Sequence, residues 1–221
     1  MLFLVERHAV TENETGRAQR REAITELGDA LRVLVEHATT TEVPTDDLLR
    51  AAAEIREVVA LLGERVRGRS ALSSADDLLG GVRMYNPVTG GGSALAPPLH
   101  IEVVAGTAIG RCTLGLAFEG PPTFAHGGVS AMLLDQILGH AVGASGNPGM
   151  TVRLNMAYLA PVPLRTPLRL TAVVDEVTGR RVTATGTIAT EADPGTILVS
   201  AVGTFVGLRA DQARRLFGRV V

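Results

Sequence analysis

The sequence predicts an α+β fold, one long helix lying on one face of a curved antiparallel sheet, preceded by a helical extension. Three observations carry this. The N-terminal third repeats apolar residues at helical spacing. From about residue 100 the pattern changes to β-branched runs separated by turn residues. A single long apolar helix at roughly 126–144 lies between the first strands and a closing meander, the order expected when one helix covers one face of a sheet.

In the first third, residues 17–36 place Ala23, Leu27, Leu31 and Leu34 on one helical face. A second helix opens at Thr45-Asp46-Asp47 after Pro44 and runs through Leu48, Ala52, Ile55, Val59 and Leu62, with charge on the opposite face. The two suggest a helical hairpin that packs on the main domain or on a partner subunit. Residues 63–98, rich in Gly, Ser, Arg and Pro, read as a long connection, so the chain divides into an N-terminal extension and connection (1–80) and a main domain (81–221). There the expected strands are Ile101–Val104 and Arg111–Phe118, then, after the helix, Thr151–Leu159, Leu168–Val177, Arg181–Ala189 and Ile197–Val206. Gly120, Pro121 and Pro122 break the chain before the helix, and Gly146-Asn147-Pro148-Gly149 ends it.

Composition narrows the chemistry. The 221 residues are 46% apolar with a net charge of −2, which suits a globular protein rather than a nucleic-acid binder. Aromatic residues are only 3%, too few for base-stacking platforms. No apolar run is long enough to span a membrane, and the Met1–Arg7 start is too short for a secretory signal. The single Cys112 fits a reducing, cytoplasmic setting. All 21 basic residues are Arg. Schiff-base and lysine-base chemistry are therefore excluded, and phosphate recognition falls to Arg or to backbone amides. No His, Cys or carboxylate spacing argues for a metal, and nothing asks for a cofactor.

The motif that carries chemistry is His126-Gly127-Gly128, followed nine residues after the histidine by Asp135. Two glycines at a helix start leave amide N–H groups bare where the helix dipole favours negative charge. Asp135 has uncharged helical neighbours at Ala131, Met132, Leu138 and Gly139. A carboxylate is poor at such a position on grounds of propensity and desolvation, which points to a functional role. An amide donor and a partly desolvated carboxylate are what acyl transfer to water requires.

These residues resemble the hotdog-fold thioesterases of the phenylacetate-degradation type, together with the related mitochondrial acyl-coenzyme A thioesterases. The likeness covers about residues 84–207. It rests on Phe118-Glu119-Gly120-Pro121-Pro122, His126-Gly127-Gly128 with Asp135, Thr151 through Tyr158 to Pro161 and Pro163, and Gly179-Arg180-Arg181. The resemblance implies a hotdog fold whose sheets join in a homodimer, or a dimer of dimers (a homotetramer), with active sites at the interface. It also implies Asp135 as the catalytic carboxylate, Gly127 as the amide that polarises the thioester carbonyl, and Thr151 as its hydroxyl partner. His126 completes the catalytic set, although helix capping is its more ordinary role. Candidate substrate contacts are Gly128 and, for the phosphates of coenzyme A, Arg153, Arg180 and Arg181.

Two rivals stand beside the reading of an acyl-coenzyme A hydrolase. One is a non-catalytic acyl-coenzyme A binding module of the same fold. The other is a phosphohydrolase, because Glu6-Arg7-His8 resembles the opening of histidine phosphatases, but a terminal β-meander does not suit that fold.

Overall fold

The computed structural model describes residues 2–69, 71–78, 80–209, 211, 212 and 215, with side chains described from Thr15 onward. Contacts divide the chain into two units, residues 1–94 and 95–221.

The first unit holds helices α1 (Leu2–Thr40) and α2 (Thr45–Gly63). Helix α1 begins well before the periodicity at 17–36 announces it and includes residues 6–8 of the phosphatase-like stretch. The segment after α2 is more than a connection. Ile24 of α1 is buried with Ala75 and Met84, Arg21 Nε donates to the Ala75 carbonyl at 2.7 Å, and Arg32 Nη1 donates to the carbonyls of Gly91 and Ser93. The expected hairpin is not formed: among the described residues α1 and α2 share no packed seam. Helix α2 buries no residue, and Leu49, Val59 and Leu61 are each more than 60% exposed.

The second unit is a six-stranded antiparallel sheet with one helix on it. The strands are β1 (His100–Val104), β2 (Thr107–Thr113), β3 (Met150–Tyr158), β4 (Pro167–Thr178), β5 (Arg181–Thr190) and β6 (Val199–Val206). Their spatial order is β1-β2-β4-β5-β6-β3, so β3 is a sheet edge. Residues 114–118, expected as the end of a strand, instead turn through a short 3₁₀ helix at Leu116–Phe118. This turn starts the chain on its way to helix α3 (Gly127–Ala144).

Alternation explains the core. Leu168, Leu170 and Ala172 of β4, Val182, Ala184, Gly186 and Ile188 of β5, and Val199, Ala201, Gly203 and Phe205 of β6 all point inward and are buried. Against them α3 buries Leu133, Leu134, Ile137, Leu138, Ala141 and Val142. The register sets Ala172, Gly186 and Ala201 in one row, and Ala184 and Gly203 in the next. These small residues lie where the helix sits lowest. A Cβ on Gly203 would fall 2.8 Å from the Phe205 ring and 3.1 Å from Leu138, so a larger residue there has to lift the helix or move the ring.

Candidate active site

The site is built around the start of α3. The chain approaches through a loop held by its own backbone: Gly120 N–H donates to Phe124 O, Ala125 N–H to Val162 O and His126 N–H to Phe118 O. Gly120 permits this closeness, because a Cβ there would lie 2.8 Å from His126 Cα. His126 is the helix cap, its Nδ1 accepting from Gly128 N–H at 3.0 Å. Val129 N–H donates to the His126 carbonyl. With the amides of Gly128 and Val129 engaged, Gly127 N–H has no bond among the described residues. It is the bare donor at the positive end of the helix.

Asp135 lies two turns further along α3, half-buried, on the flank that meets β3. Thr151 Oγ1, near the start of β3, donates to Asp135 Oδ1 at 2.8 Å. At the other end of the same strand Tyr158 OH donates to the Gly127 carbonyl at 3.0 Å. Helix α3 and strand β3 thus run antiparallel, tied at both ends by side-chain hydrogen bonds. Tyr158 lies in the quoted motif but was not singled out from the sequence as part of the site. Its signal was its place just before Pro161 and Pro163; what it touches depends on a pairing between residues 31 positions apart.

The arginines separate. Thr151 shares a row with inward-facing Phe205 and Val182, consistent with its bond to Asp135. A bulge between Thr151 and Arg153 shifts the register, and Arg153 pairs with Thr204 on the face away from α3. Arg153 is therefore not brought to the Asp135 side of the sheet. Arg181 follows the same rule, in register with Val206. Arg180 sits in the β4–β5 turn, where Nη1 donates to the Gly207 carbonyl at 2.8 Å. These turn residues lie at the end of the sheet that carries Thr151, two strands away, roughly 10 Å by strand spacing.

One long helix resting on a curved antiparallel sheet, with a bare amide at its start and a hydroxyl-bonded carboxylate at its middle, is the hotdog fold of the thioesterases. The comparisons agree. The thioesterase superfamily model matches residues 123–196. A solved structure of the thioesterase superfamily protein RHA08564 is 37% identical, spans 83% of this chain and 94% of that one, and superposes with a TM-score of 0.74. The chain belongs to the thioesterase superfamily. The acyl-coenzyme A thioesterase THEM4 of Mus musculus is 31% identical over 94 residues, 42% of this chain and 40% of that protein. The Rattus norvegicus protein of the same name is 31% identical over 98 residues, 44% and 42% respectively. The chain thus aligns with less than half the length of these curated relatives. The antiparallel sheet leaves no place for the phosphatase reading, which needs helices completing an α/β sheet.

Proposed function

We propose that this protein hydrolyses acyl-coenzyme A thioesters to the free acid and coenzyme A, at sites that two copies of the chain share. The observation that carries the reading is the pair of ties between α3 and β3, Thr151 to Asp135 and Tyr158 to Gly127. In one chain the Gly127 amide and the Asp135 carboxylate are eight residues apart on the helix, about 12 Å along its axis. An oxyanion donor must lie about 3 Å from the thioester oxygen, and the base or nucleophile must reach the adjacent carbon or its water. One helix therefore cannot supply both groups to a single carbonyl.

A second copy resolves this. Strand β3 is an unpaired edge with exposed Met150, Val152, Tyr158 and Leu159, and an edge of that kind invites pairing. Antiparallel pairing of β3 with its own copy sets the Thr151 end of one strand against the Tyr158 end of the other. Asp135 of one protomer then faces Gly127 of the other, twice per dimer, as two-fold symmetry requires. The Gly127 amide polarises the carbonyl. Asp135, oriented by Thr151, either takes a proton from the attacking water or attacks the carbon to give a mixed anhydride that water then opens. His126 serves this chemistry by capping the helix, which occupies the Gly128 amide and leaves that of Gly127 for substrate. Arg180, in the turn at the sheet end that carries Thr151, is the residue we assign to the coenzyme A phosphates; Arg153 and Arg181 lie on the face away from α3. The lone, half-buried Cys112 is compatible with a cytoplasmic location.

The test uses complementation. Asp135→Asn removes the carboxylate and abolishes hydrolysis. Gly127→Pro removes the amide hydrogen at the first helical position, where proline is well tolerated. The preceding His126, at φ −62° and ψ 136°, already has the conformation a proline demands of its neighbour. That variant loses on the order of 10²- to 10³-fold in rate. A heterodimer of the two variants keeps one intact site and recovers about half the wild-type activity. Failure of the mixed dimer to exceed either parent would reject the shared site. Full activity in Asp135→Asn would reject the enzyme in favour of a binding module. Solvent ¹⁸O in a single turnover distinguishes direct water attack, which labels the released acid, from an anhydride opened by water at the Asp135 carboxyl carbon, which leaves the label on Asp135 and releases unlabelled acid.

A further inference from the structure

The first unit holds a second concentration of chemistry, independent of the thioesterase site. A cavity of about 470 Å³ is lined by Arg20 of α1, by Arg65, Val66 and Arg67 just after α2, and by Leu72 and Ser74. Arg20, Arg65 and Arg67, all exposed, line one open concavity, and no carboxylate is among its lining residues. None of the three has an ion-pair partner among the described residues. Elsewhere Arg111 pairs with Glu102 and Arg169 with Glu191. Arg67 is steered instead by Tyr85, its guanidinium 5.5 Å from the ring centroid.

Outside the cavity lining, the same stretch of α1 carries one more arginine whose bonding is incomplete. Arg21, next to Arg20, donates from Nε to the carbonyl of Ala75, the residue after Ser74. Its Nη2 is buried and has no acceptor. A buried charged donor left unpaired is costly, and native structures rarely keep one without a reason. Three exposed cations lining one concavity without a carboxylate repel one another through screening solvent, and a bound anion would relieve that repulsion.

We infer that this cavity is an anion site for a small phosphorylated organic molecule. The planar fork of arginine fits phosphate oxygens in pairs, and a set of three suits a dianionic or diphosphate group better than a single carboxylate. The volume lies within the range of small-ligand pockets and exceeds the needs of one inorganic phosphate. Val66 and Leu72 give the remainder of the ligand an apolar wall, and the Ser74 hydroxyl a neutral hydrogen bond. The proposal does not depend on the thioesterase reading, because every residue in it belongs to residues 20–85.

The probe is inorganic pyrophosphate, titrated calorimetrically into the full chain at low ionic strength. Binding is expected, weakening as salt is added. The Arg65→Gln/Arg67→Gln double variant, both positions being exposed, should lose at least roughly tenfold in affinity, the expected worth of one charge-assisted bond or more. The titrations are run in an Arg180→Gln/Arg181→Gln background, so that the proposed coenzyme A end contributes no heat, and there Arg56→Gln, an exposed arginine of α2 outside the cavity lining, should leave pyrophosphate binding unchanged. Vesicles of phosphatidylcholine and phosphatidylserine separate a soluble ligand from a lipid surface. The proposal is overturned by no pyrophosphate binding, by equal affinity in the Arg65/Arg67 variant, or by capture on vesicles without pyrophosphate binding.

Discussion

At the scale of single residues, the site turns on which hydrogen-bonding groups are already spent. His126 uses its Nδ1 on Gly128, Tyr158 uses its hydroxyl on the Gly127 carbonyl, and Thr151 gives its proton to Asp135. Thr151→Val keeps the shape of the side chain and removes the donor. A hydrogen bond to a charged group contributes about 1.5–3 kcal/mol, so kcat should fall roughly ten- to a hundredfold. Thr151→Ser should restore most of it, and equal kcat in both variants would deny Thr151 its positioning role. Cys112 answers a different question. Burial pushes its thiol up from 9.0 to about 12, because the thiolate would be stranded in apolar surroundings. Alkylation of the native protein at pH 8 should therefore be far slower than of the unfolded chain, as mass spectrometry would read directly. The sign for stability follows. The unfolded thiol ionises from about pH 9 while the folded one stays protonated, so this group's contribution is intact below that pH and declines as pH rises toward 12. Chemical denaturation of wild type and Cys112→Ala at pH 8 and pH 11 should show a smaller loss in the variant.

At the scale of elements, α3 owes its position to small residues beneath it. Ala172, Gly186 and Ala201 form one row and Ala184 and Gly203 the next. Gly203→Val places atoms where the Phe205 ring and Leu138 already lie, and overpacking of that kind typically costs about 1–3 kcal/mol. The urea midpoint should drop accordingly, and activity with it, because tilting α3 separates Asp135 from Thr151. An unchanged midpoint would mean that the helix rides higher on the sheet than described. The strands and α3 were readable from sequence because alternation and helical spacing are local signals. The end of β2 was misread at residues 114–118, where apolar Leu114, Leu116 and Phe118 suggest continued strand. Gly115, Gly120 and the paired prolines redirect the backbone through a 3₁₀ turn instead.

At the scale of the whole molecule, the decisive features are surfaces that one chain leaves uncovered. The β3 edge is one, and α2 is another. Its Leu48, Ala52, Ile55, Val59 and Leu62 repeat at four- and three-residue intervals, the spacing of a helix seam, yet none is buried. The sequence suggests a helical hairpin that packs on the main domain or on a partner subunit, and among the described residues α1 and α2 do not pack together. If the proposed dimer of dimers forms through this seam, the contact is open to test. Leu48→Ser/Ile55→Ser/Leu62→Ser should then halve the mass seen by light scattering while thioester hydrolysis continues in the remaining dimer. A wild-type protein that is already monomeric and active would refute both this contact and the shared active site.

The fold class, the extent of most strands, the long helix and the occurrence of His126-Gly127-Gly128 with Asp135 and Thr151 were legible in the order of residues alone. The sequence could show them because periodicity, turn residues and an out-of-place carboxylate are properties of neighbouring positions along the chain. Only the tertiary structure decided what those residues touch. The spatial order β1-β2-β4-β5-β6-β3 puts β3 at an edge, a bulge turns Arg153 away from Asp135, and Tyr158 reaches Gly127 across 31 residues. The burial of Arg21 Nη2 without a partner was equally invisible in the sequence. Each of these follows from packing between segments distant in the chain, and helical or strand periodicity carries no record of such partners.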